Sequence, residues 1–450
     1  MTVVPEPIIS VSGLRGVVGV SLTPDVAIRY SAAFASTLPP GPIVITRDGR
    51  TTGEMLAALI SGGLQACGRK VIYAGIAATP TTGILVRSHT AAGGIQISAS
   101  HNPAEYNGLK LFNSDGRVIP ANAGLAVIEQ YRNAAPAWAA FDQIGSPRTL
   151  SDSISQHWHL LSQIVDVPRI RRRQLNVLLD ANHGAGSVLA RRMLEELGCR
   201  VKILGGNPNG HFDHNPEPTE ENLQSVLSRV VETNSDIGFC QDPDADRLAV
   251  IDSAGRYLGE EYTLAMCVDH VLRRTKGPIV TNCSTSRMTE DLAAKYGVPF
   301  YRSAVGEANV VDKMLEVDAI LGGEGNGGVI DPRVGLVRDS FVGMALLLDA
   351  MVSRDRSIAQ LADELPRYSI CKTKMSLPPQ KLAAGLAALK KHFADATTDT
   401  LDGLRLDWPG SWLLIRTSNT EPVVRAIAEA PSAEQASRLC EQSAAVLAAV

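Results

Sequence analysis

Apolar runs and amphipathic stretches alternate along most of the chain. Pro42–Thr46 is a short apolar run of the kind that lies buried in a sheet, Gly53–Cys67 repeats its apolar residues at helical spacing, and Lys70–Ala74 and Gly94–Ser98 return to the strand pattern. The cycle recurs in Leu175–Leu179, Val188–Leu197, Val201–Leu204 and Asp236–Phe239, and a third time between Pro278–Thr281 and Ala319–Leu321. Such alternation predicts mixed or parallel sheets covered by helices, with ligands bound beyond the carboxyl ends of strands. From about Arg367 the pattern changes. A strand candidate, a helix over Gln380–Phe393, a strand pair turning at Pro409-Gly410, a strand through Val423–Ile427 and a closing helix over Ala433–Ala448 predict an α+β unit with antiparallel pairing. At 450 residues the chain exceeds what one core holds, so three or four domains are expected. Ala134-Ala135-Pro136-Ala137-Trp138-Ala139-Ala140, ahead of Gly145-Ser146-Pro147, reads as a linker.

Four loops interrupt this pattern with candidate chemistry. Gln96–Glu105 sets Ser100 beside His101 directly after an apolar run, as a nucleophile presented at the mouth of a sheet would be. A hydrogen-bonded loop closure, which Asn102-Pro103 favours, explains the fragment equally well. Asp242-Pro243-Asp244-Ala245-Asp246-Arg247 follows the apolar Ile237–Cys240, and its alternate carboxylates can converge on one hard cation. A calcium EF-hand fails there, because Arg247 stands where the sharp turn needs Gly and Ser253 where the bidentate Glu belongs. Magnesium fits better, since it takes few protein carboxylates and fills its shell with water and phosphate oxygens; a solvated acidic turn is the plainer alternative.

The third loop, Gly322–Gly328, matches a dinucleotide pattern in its glycines, but Val329-Ile330-Asp331-Pro332 follows where a helix should open. No GxxxxGK[ST] loop occurs. Glu324 and Asn326 on a backbone-rich loop suit adjacent sugar hydroxyls, although glycines that merely make a tight turn would look alike. The fourth loop, Arg416-Thr417-Ser418-Asn419-Thr420-Glu421-Pro422 with Arg425 beyond it, offers guanidinium forks and hydroxyls for a phosphate, or is simply a polar loop. His157, His159 and His183 read as structural.

Taken in this order, Ser100-His101-Asn102-Pro103, the Asp242–Arg247 loop, Gly323-Glu324-Gly325-Asn326-Gly327 and Arg416–Pro422 resemble the α-D-phosphohexomutase superfamily of phosphoglucomutases, phosphomannomutases and phosphoglucosamine mutases. Ser12-Gly13-Leu14-Arg15-Gly16, Arg47-Asp48-Gly49-Arg50, Asn107-Gly108-Leu109-Lys110 and Val305-Gly306-Glu307 extend the resemblance over essentially the whole chain. It implies three successive mixed α/β domains and a C-terminal α+β domain around a central cleft, placed here at 1–150, 151–254, 255–365 and 366–450, the last one mobile.

The resemblance also implies roles. Ser100 would carry the phosphoryl group, with Asp242, Asp244 and Asp246 holding magnesium together with a phosphoserine oxygen. Lys110 would be the general acid/base, with His101, Arg15 and Arg247 around the reacting phosphate and neighbouring cations lowering the lysine pKa. Glu324 and Asn326 would bind sugar hydroxyls, while Arg416, Ser418, Asn419, Thr420 and Arg425 would grip the phosphate that is not reacting. A hexose 6-phosphate and its 1-phosphate would interconvert through a 1,6-bisphosphate, which would also activate the enzyme. Asn326, Asn419, Pro243 and Ala245 depart from the commonest family residues, which touches sugar choice rather than activity. The Gly322–Gly328 loop with Val305–Asn309 looks most like archaeal-type phosphoglucosamine mutases, so glucosamine phosphate is favoured over mannose or glucose phosphate.

Charge and composition narrow the remaining classes. A net charge of −4 without a dense basic run argues against nucleic acid as a partner, whereas a phosphosugar needs only local positive charge. Seven scattered cysteines without a CxxC pair fit reduced thiols in a cytoplasm. The first residues lack the pattern of a signal peptide and no run of about 18 apolar residues occurs, so no membrane partner is expected. A homodimer is left open. A metal-dependent sugar phosphatase would use the same serine and aspartates but release phosphate. A non-catalytic sensor would keep Arg416–Arg425 and lose the nucleophile or metal ligands, which this chain retains.

Overall fold

Each strand–helix cycle forms its own sheet, and the tail forms a fourth. The computed structural model describes residues 6–375, 377–417 and 423–450. The first sheet runs in the order Ile8–Ser10, Gly13–Val17, Tyr106–Asn113, Gly93–Ile97, Ile43–Arg47, Val71–Ile76, Pro147–Thr149. From Gly93–Ile97 onward its strands are parallel, and on the other side they are antiparallel. The second sheet runs Leu248–Asp252, Ile237–Gln241, Asn176–Asp180, Arg200–Leu204, with only Leu248–Asp252 antiparallel. The third runs Phe300–Ser303, Ile279–Asn282, Leu321–Glu324, Gly328–Ile330, with only the last antiparallel.

The tail sheet is antiparallel throughout: Ser369–Met375, Val424–Ala430, Ser411–Thr417, Leu404–Trp408, Thr397–Asp399. Trp408 faces Ser411 across the expected Pro409-Gly410 turn. A mixed α/β body with an α+β tail is thus what the hydrophobic pattern dictated, because strands such as Ile43-Val44-Ile45 and Val177-Leu178-Leu179 are buried on both faces.

The expected linker, Ala134–Ala140, carries neither helix nor strand, and an edge strand follows it. Pro147–Thr149 pairs parallel with Val71-Ile72-Tyr73 at the edge of the first sheet, where a proline without an N–H is tolerated. The residues before it carry one short 3-10 turn, Phe141–Gln143. Helices expected from periodicity form with small shifts at their ends, as Gly53–Ala66, Gly186–Glu196, Leu382–His392 and Ala433–Ala448.

The packing is less segmented than the sheets. Leu179, Phe239 and Val250 of the second unit and Leu264, Leu321 and Leu347 of the third lie in one apolar cluster. The helices Glu260–Leu272 and Ser340–Arg354 bridge them and are buried almost all round. Each fully buried leucine there stabilises the joint core by about 1.5–3 kcal/mol. The tail keeps a separate core around Leu389, Leu404, Leu413 and Ile415. It meets the third unit through a small apolar cluster of Cys283, Trp412 and Leu414 with Val305 and Ile427 against it, and through polar contacts such as Arg405 to the Cys283 carbonyl and the Arg287 N–H to Glu429 at 3.0 Å. Among the described residues no helix is long and apolar enough to cross a membrane.

Candidate active site

Val71–Ile76 pairs on one side of Ile43–Arg47 and Gly93–Ile97 on the other, so the strand order reverses between Ile43–Arg47 and Gly93–Ile97, and such a switch point opens a crevice at the strands' carboxyl ends. Ser100 sits there, buried, at φ +49°, a left-handed conformation that costs a side-chain-bearing residue about 1–3 kcal/mol and is held only where surroundings enforce it. Arg50 supplies much of that enforcement. Its guanidinium donates to the carbonyls of Ser100 (2.7 Å), Asn102 (2.6 Å), Pro103 (2.6 Å) and Tyr106 (3.1 Å), and its Nε to Asp48 Oδ2 (3.1 Å). Ser98 Oγ donates to Asp48 and accepts from the Ser100 N–H, closing the loop. Gly49 must be glycine: a Cβ there would lie 2.3 Å from the His183 carbonyl, where a loop of the second unit crosses.

Ser100 Oγ donates to Asp242 Oδ2 at 2.8 Å and lies 3.2 Å from His101 Nδ1. Asp242, Asp244 and Asp246 are fully buried after the strand Ile237–Gln241, and one oxygen of each lies within 4.8 Å of the others. The loop is tied from three directions. Asp242 Oδ1 accepts the Asp246 and Arg247 N–H groups at 3.1 Å each, Thr79 Oγ1 donates to Asp244 Oδ2 at 2.5 Å, and Ser340 Oγ donates to the Ala245 carbonyl at 2.7 Å.

The remaining oxygens test whether a cation fits. Asp244 Oδ1 and Asp246 Oδ1 are buried without any partner, a cost that a hard cation accepting carboxylate oxygens removes. The donor set is all oxygen, which suits magnesium, calcium or manganese and not a thiolate-loving metal.

Lys110, from the strand Tyr106–Asn113, reaches in with Nζ 2.9 Å from Asp244 Oδ2 and 2.8 Å from Asp246 Oδ2. Burial works to lower its pKa, but the Asp244 and Asp246 charges outweigh burial and raise it. The expectation of a lysine lowered by neighbouring cations is therefore reversed in this structure, because carboxylates are its nearest neighbours. Burial pushes all three aspartates upward. Asp242, with Asp244 and Asp246 adding to the effect, ends well above the ordinary range, while Lys110 holds Asp244 low and Arg338 holds Asp246 low. Arg247, then burial and Arg15, drive His101 well below its ordinary value, so its ring is neutral near pH 7. Arg15 donates to Asn102 Oδ1 at 3.3 Å, and Arg247 lies 3.4 Å from Glu217.

Arg338 is a site residue that the sequence reading missed. One of its terminal nitrogens donates to Asp246 Oδ2 at 2.7 Å and the other to Glu324 Oε2 at 2.6 Å, while Nε lies 3.4 Å from Glu307. Glu324 Oε1 also accepts from Asn282 Nδ2 at 2.6 Å and from the Gly306 N–H at 3.1 Å. Asn326 sits on the same hairpin, with Oδ1 accepting from the Gly328 N–H at 3.2 Å. Burial pushes the Glu307 carboxyl up to about 7 against the pull of Arg338 and Lys110. The local signal for Arg338 was its place just ahead of Asp339, the N-cap of a helix that is apolar nearly throughout.

The structure thus brings together Ser100, His101, Arg15, Lys110, Arg247 and the three aspartates, and through Arg338 it links them to Glu324 and Asn326. Arg416 and Arg425 face each other across neighbouring strands of the tail sheet. Ser418, Asn419 and Thr420 lie outside the described residues. His157, read as structural, is buried with its ring 2.7 Å from Asp339 and 2.9 Å from Thr81.

Comparison with known proteins points the same way. Models of phosphoglucomutase/phosphomannomutase match as alpha/beta/alpha domain I over residues 8–137, domain II over 155–255, domain III over 260–368 and the C-terminal domain over 373–446. A phosphoglucomutase/phosphomannomutase of Thermococcus kodakarensis is 36% identical over 440 residues, covering 95% of this chain and 96% of the relative. A Methanopyrus kandleri protein named "Probable phosphoglucosamine mutase" is 31% identical over 438 residues, covering 96% of this chain and 95% of the relative. The crystal structure of a phosphoglucomutase/phosphomannomutase family protein from Burkholderia thailandensis aligns with a TM-score of 0.83 at 28% identity, covering 98% of this chain and 97% of that one.

Proposed function

The chain belongs to the phosphoglucomutase/phosphomannomutase family, isomerases that move a phosphoryl group within a hexose phosphate, and we propose that it does so through phosphorylated Ser100. The observation that carries this reading is the hydrogen bond from Ser100 Oγ to Asp242, within an aspartate cluster that Lys110 also enters. In the forward half-cycle a sugar hydroxyl forms a P–O bond to the phosphoserine phosphorus as the bond to Ser100 Oγ breaks. Lys110, held as an ammonium by Asp244 and Asp246, gives a proton to Ser100 Oγ as that oxygen leaves and takes the hydroxyl proton in its place, so that charge balances. In the second half-cycle Ser100 Oγ attacks the other phosphate of the bisphosphate and the sugar oxygen regains the proton.

Serine and phosphate are ill matched without positive charge around them, and Arg15, Arg247 and Arg338 supply it from the protein. Asp242, Asp244 and Asp246 would hold magnesium, which when bound neutralises charge on the transferring phosphoryl group. Glu324 and Asn326 would receive sugar hydroxyls, and Arg416, Ser418, Asn419, Thr420 and Arg425 the distal phosphate. A hexose 1,6-bisphosphate would prime Ser100. Domain limits near 150, 254 and 365 and a cytoplasmic setting, which seven free cysteines favour, belong to the same reading.

Glucosamine phosphate is the sugar we favour, supported by relatives named "Probable phosphoglucosamine mutase" at 31–32% identity. The relative at 36% identity favours mannose or glucose phosphate as the second reading. Phosphorus NMR on the purified protein, given glucosamine 6-phosphate, mannose 1-phosphate or glucose 1-phosphate with magnesium and a bisphosphate primer, separates them. Isomerisation with a clear preference names the sugar. Free phosphate without isomerisation makes the protein a phosphatase and ends the mutase reading.

A further inference from the structure

Asp402 lies in the turn between the strands Thr397–Asp399 and Leu404–Trp408 of the tail, and its carboxylate works on both sides of a domain contact. Asp402 Oδ2 accepts from Arg416 Nε at 3.1 Å, within the tail, and from the backbone N–H of Val305 at 2.9 Å, across the boundary to the third unit. The turn is built for that position. Gly403 takes φ +83°, and a Cβ on it would lie 2.3 Å from the Ile415 carbonyl and 3.0 Å from Arg416 Cα, so only glycine lets the turn rest on the arginine's backbone.

The Val305 side of the contact leads into the cleft. The next residue, Gly306, donates its N–H to Glu324 Oε1, and Glu307 after it accepts the Arg338 N–H at 2.8 Å. Arg338 in turn reaches Asp246. One unbroken chain of hydrogen bonds and adjacent residues therefore runs from Arg416 through Asp402 and the Val305–Glu307 loop to the acid cluster beside Ser100.

We infer that Asp402 is a positioning residue for phosphate recognition: it sets the plane of the Arg416 guanidinium and fastens the Val305–Glu307 loop, so that gripping the distal phosphate and ordering the sugar loop occur together. The inference rests on the reading of Arg416 as a phosphate ligand. Aspartate suits the task better than a neutral acceptor, because a charge-assisted bond to Nε fixes the fork in direction as well as place.

Steady-state kinetics with glucosamine 6-phosphate or glucose 1-phosphate, whichever turns over faster, test it. Asp402→Ala raises KM about tenfold and changes kcat by less than about threefold, the scale of one charge-assisted bond. Asp402→Asn, which keeps an acceptor for the Val305 N–H, falls between Asp402→Ala and wild type. In an Arg416→Ala background Asp402→Ala adds clearly less than the roughly tenfold it costs alone, since one of the two groups it positions is gone. A KM unchanged in Asp402→Ala while Arg416→Ala raises it overturns the inference alone, and so do independent, multiplying effects in the double variant. An unchanged KM in Arg416→Ala removes the phosphate role of Arg416 and the inference with it. Should Asp402→Ala not fold, Asp402→Asn decides: wild-type KM counts against the inference, a raised KM with unaltered thermal unfolding for it.

Discussion

Replacing Arg338 by methionine, which keeps most of the side-chain volume and deletes the charge, strikes the point where the acid cluster and the sugar loop meet. The guanidinium is nearly buried and neutralises Asp246 and Glu324 at 2.7 and 2.6 Å, with Glu307 also beside it. Removing one member of a buried ion pair costs about 3–5 kcal/mol, because the partner keeps an uncompensated charge. Arg338 belongs to the third unit, which shares one core with the second, so the two lose stability together. For a unit of that size each kcal/mol moves the midpoint by about 2–4 °C, giving a fall of roughly 6–20 °C in the cation-free protein.

Magnesium sharpens the test. With Arg338 gone, Asp246 lacks its strongest neutraliser, so a saturating cation raises the midpoint of Arg338→Met by more than it raises that of wild type. The assay is differential scanning calorimetry of both proteins with and without magnesium, checked against circular dichroism for an unchanged native fold. A fall of less than about 2 °C without cation, or a smaller magnesium effect in the variant, would refute the reasoning.

Other outcomes follow from the same geometry. Gly49→Ala pushes a methyl into the His183 carbonyl and costs about 1–3 kcal/mol as overpacking, read by urea unfolding, and a neutral result would mean that the loop crossing is loose. Burial raises the Glu261 carboxyl from 4.5 to about 8, so its contribution to stability is full below about pH 4.5 and lost as pH rises through about 8. Glu261→Gln removes that share of the slope, and midpoints measured across pH 4.5–8 that parallel wild type would show that Glu261 is not the cause. Chelation by EDTA stops turnover while leaving far-ultraviolet circular dichroism unchanged, because Lys110 and Arg338 remain to neutralise the aspartates; loss of secondary structure would contradict that role.

What the chain discloses from sequence is what it stores locally. The three aspartates occupy five consecutive positions, and Ser100 directly follows a strand-like run, so both loops stand out without a fold. The hairpin at Pro409-Gly410 and the alternation of strands and helices rest on periodicity and turn chemistry, which are local as well. Arg338 is different: it lies 92 residues from Asp246, and nothing in its own neighbourhood requires a guanidinium. The shared core of the second and third units was equally hidden, since the helix Ser340–Arg354 is apolar over most of its length and does not declare which sheet it covers. Lys110 shows a subtler limit. Its place in the site could be anticipated, but the direction of its pKa shift depends on which charges come nearest, and those are Asp244 and Asp246 rather than the arginines.

The proposed reaction turns on whether Ser100 carries the phosphoryl group. The most direct measurement is intact and peptide mass spectrometry of the protein after incubation with a hexose 1,6-bisphosphate and magnesium, then after a chase with hexose monophosphate. The account predicts one phosphoryl group on the peptide holding Ser100, lost in the chase and never formed in Ser100→Ala, which folds but does not isomerise. Label on another residue, or isomerisation by Ser100→Ala above a few per cent of the normal rate, contradicts it.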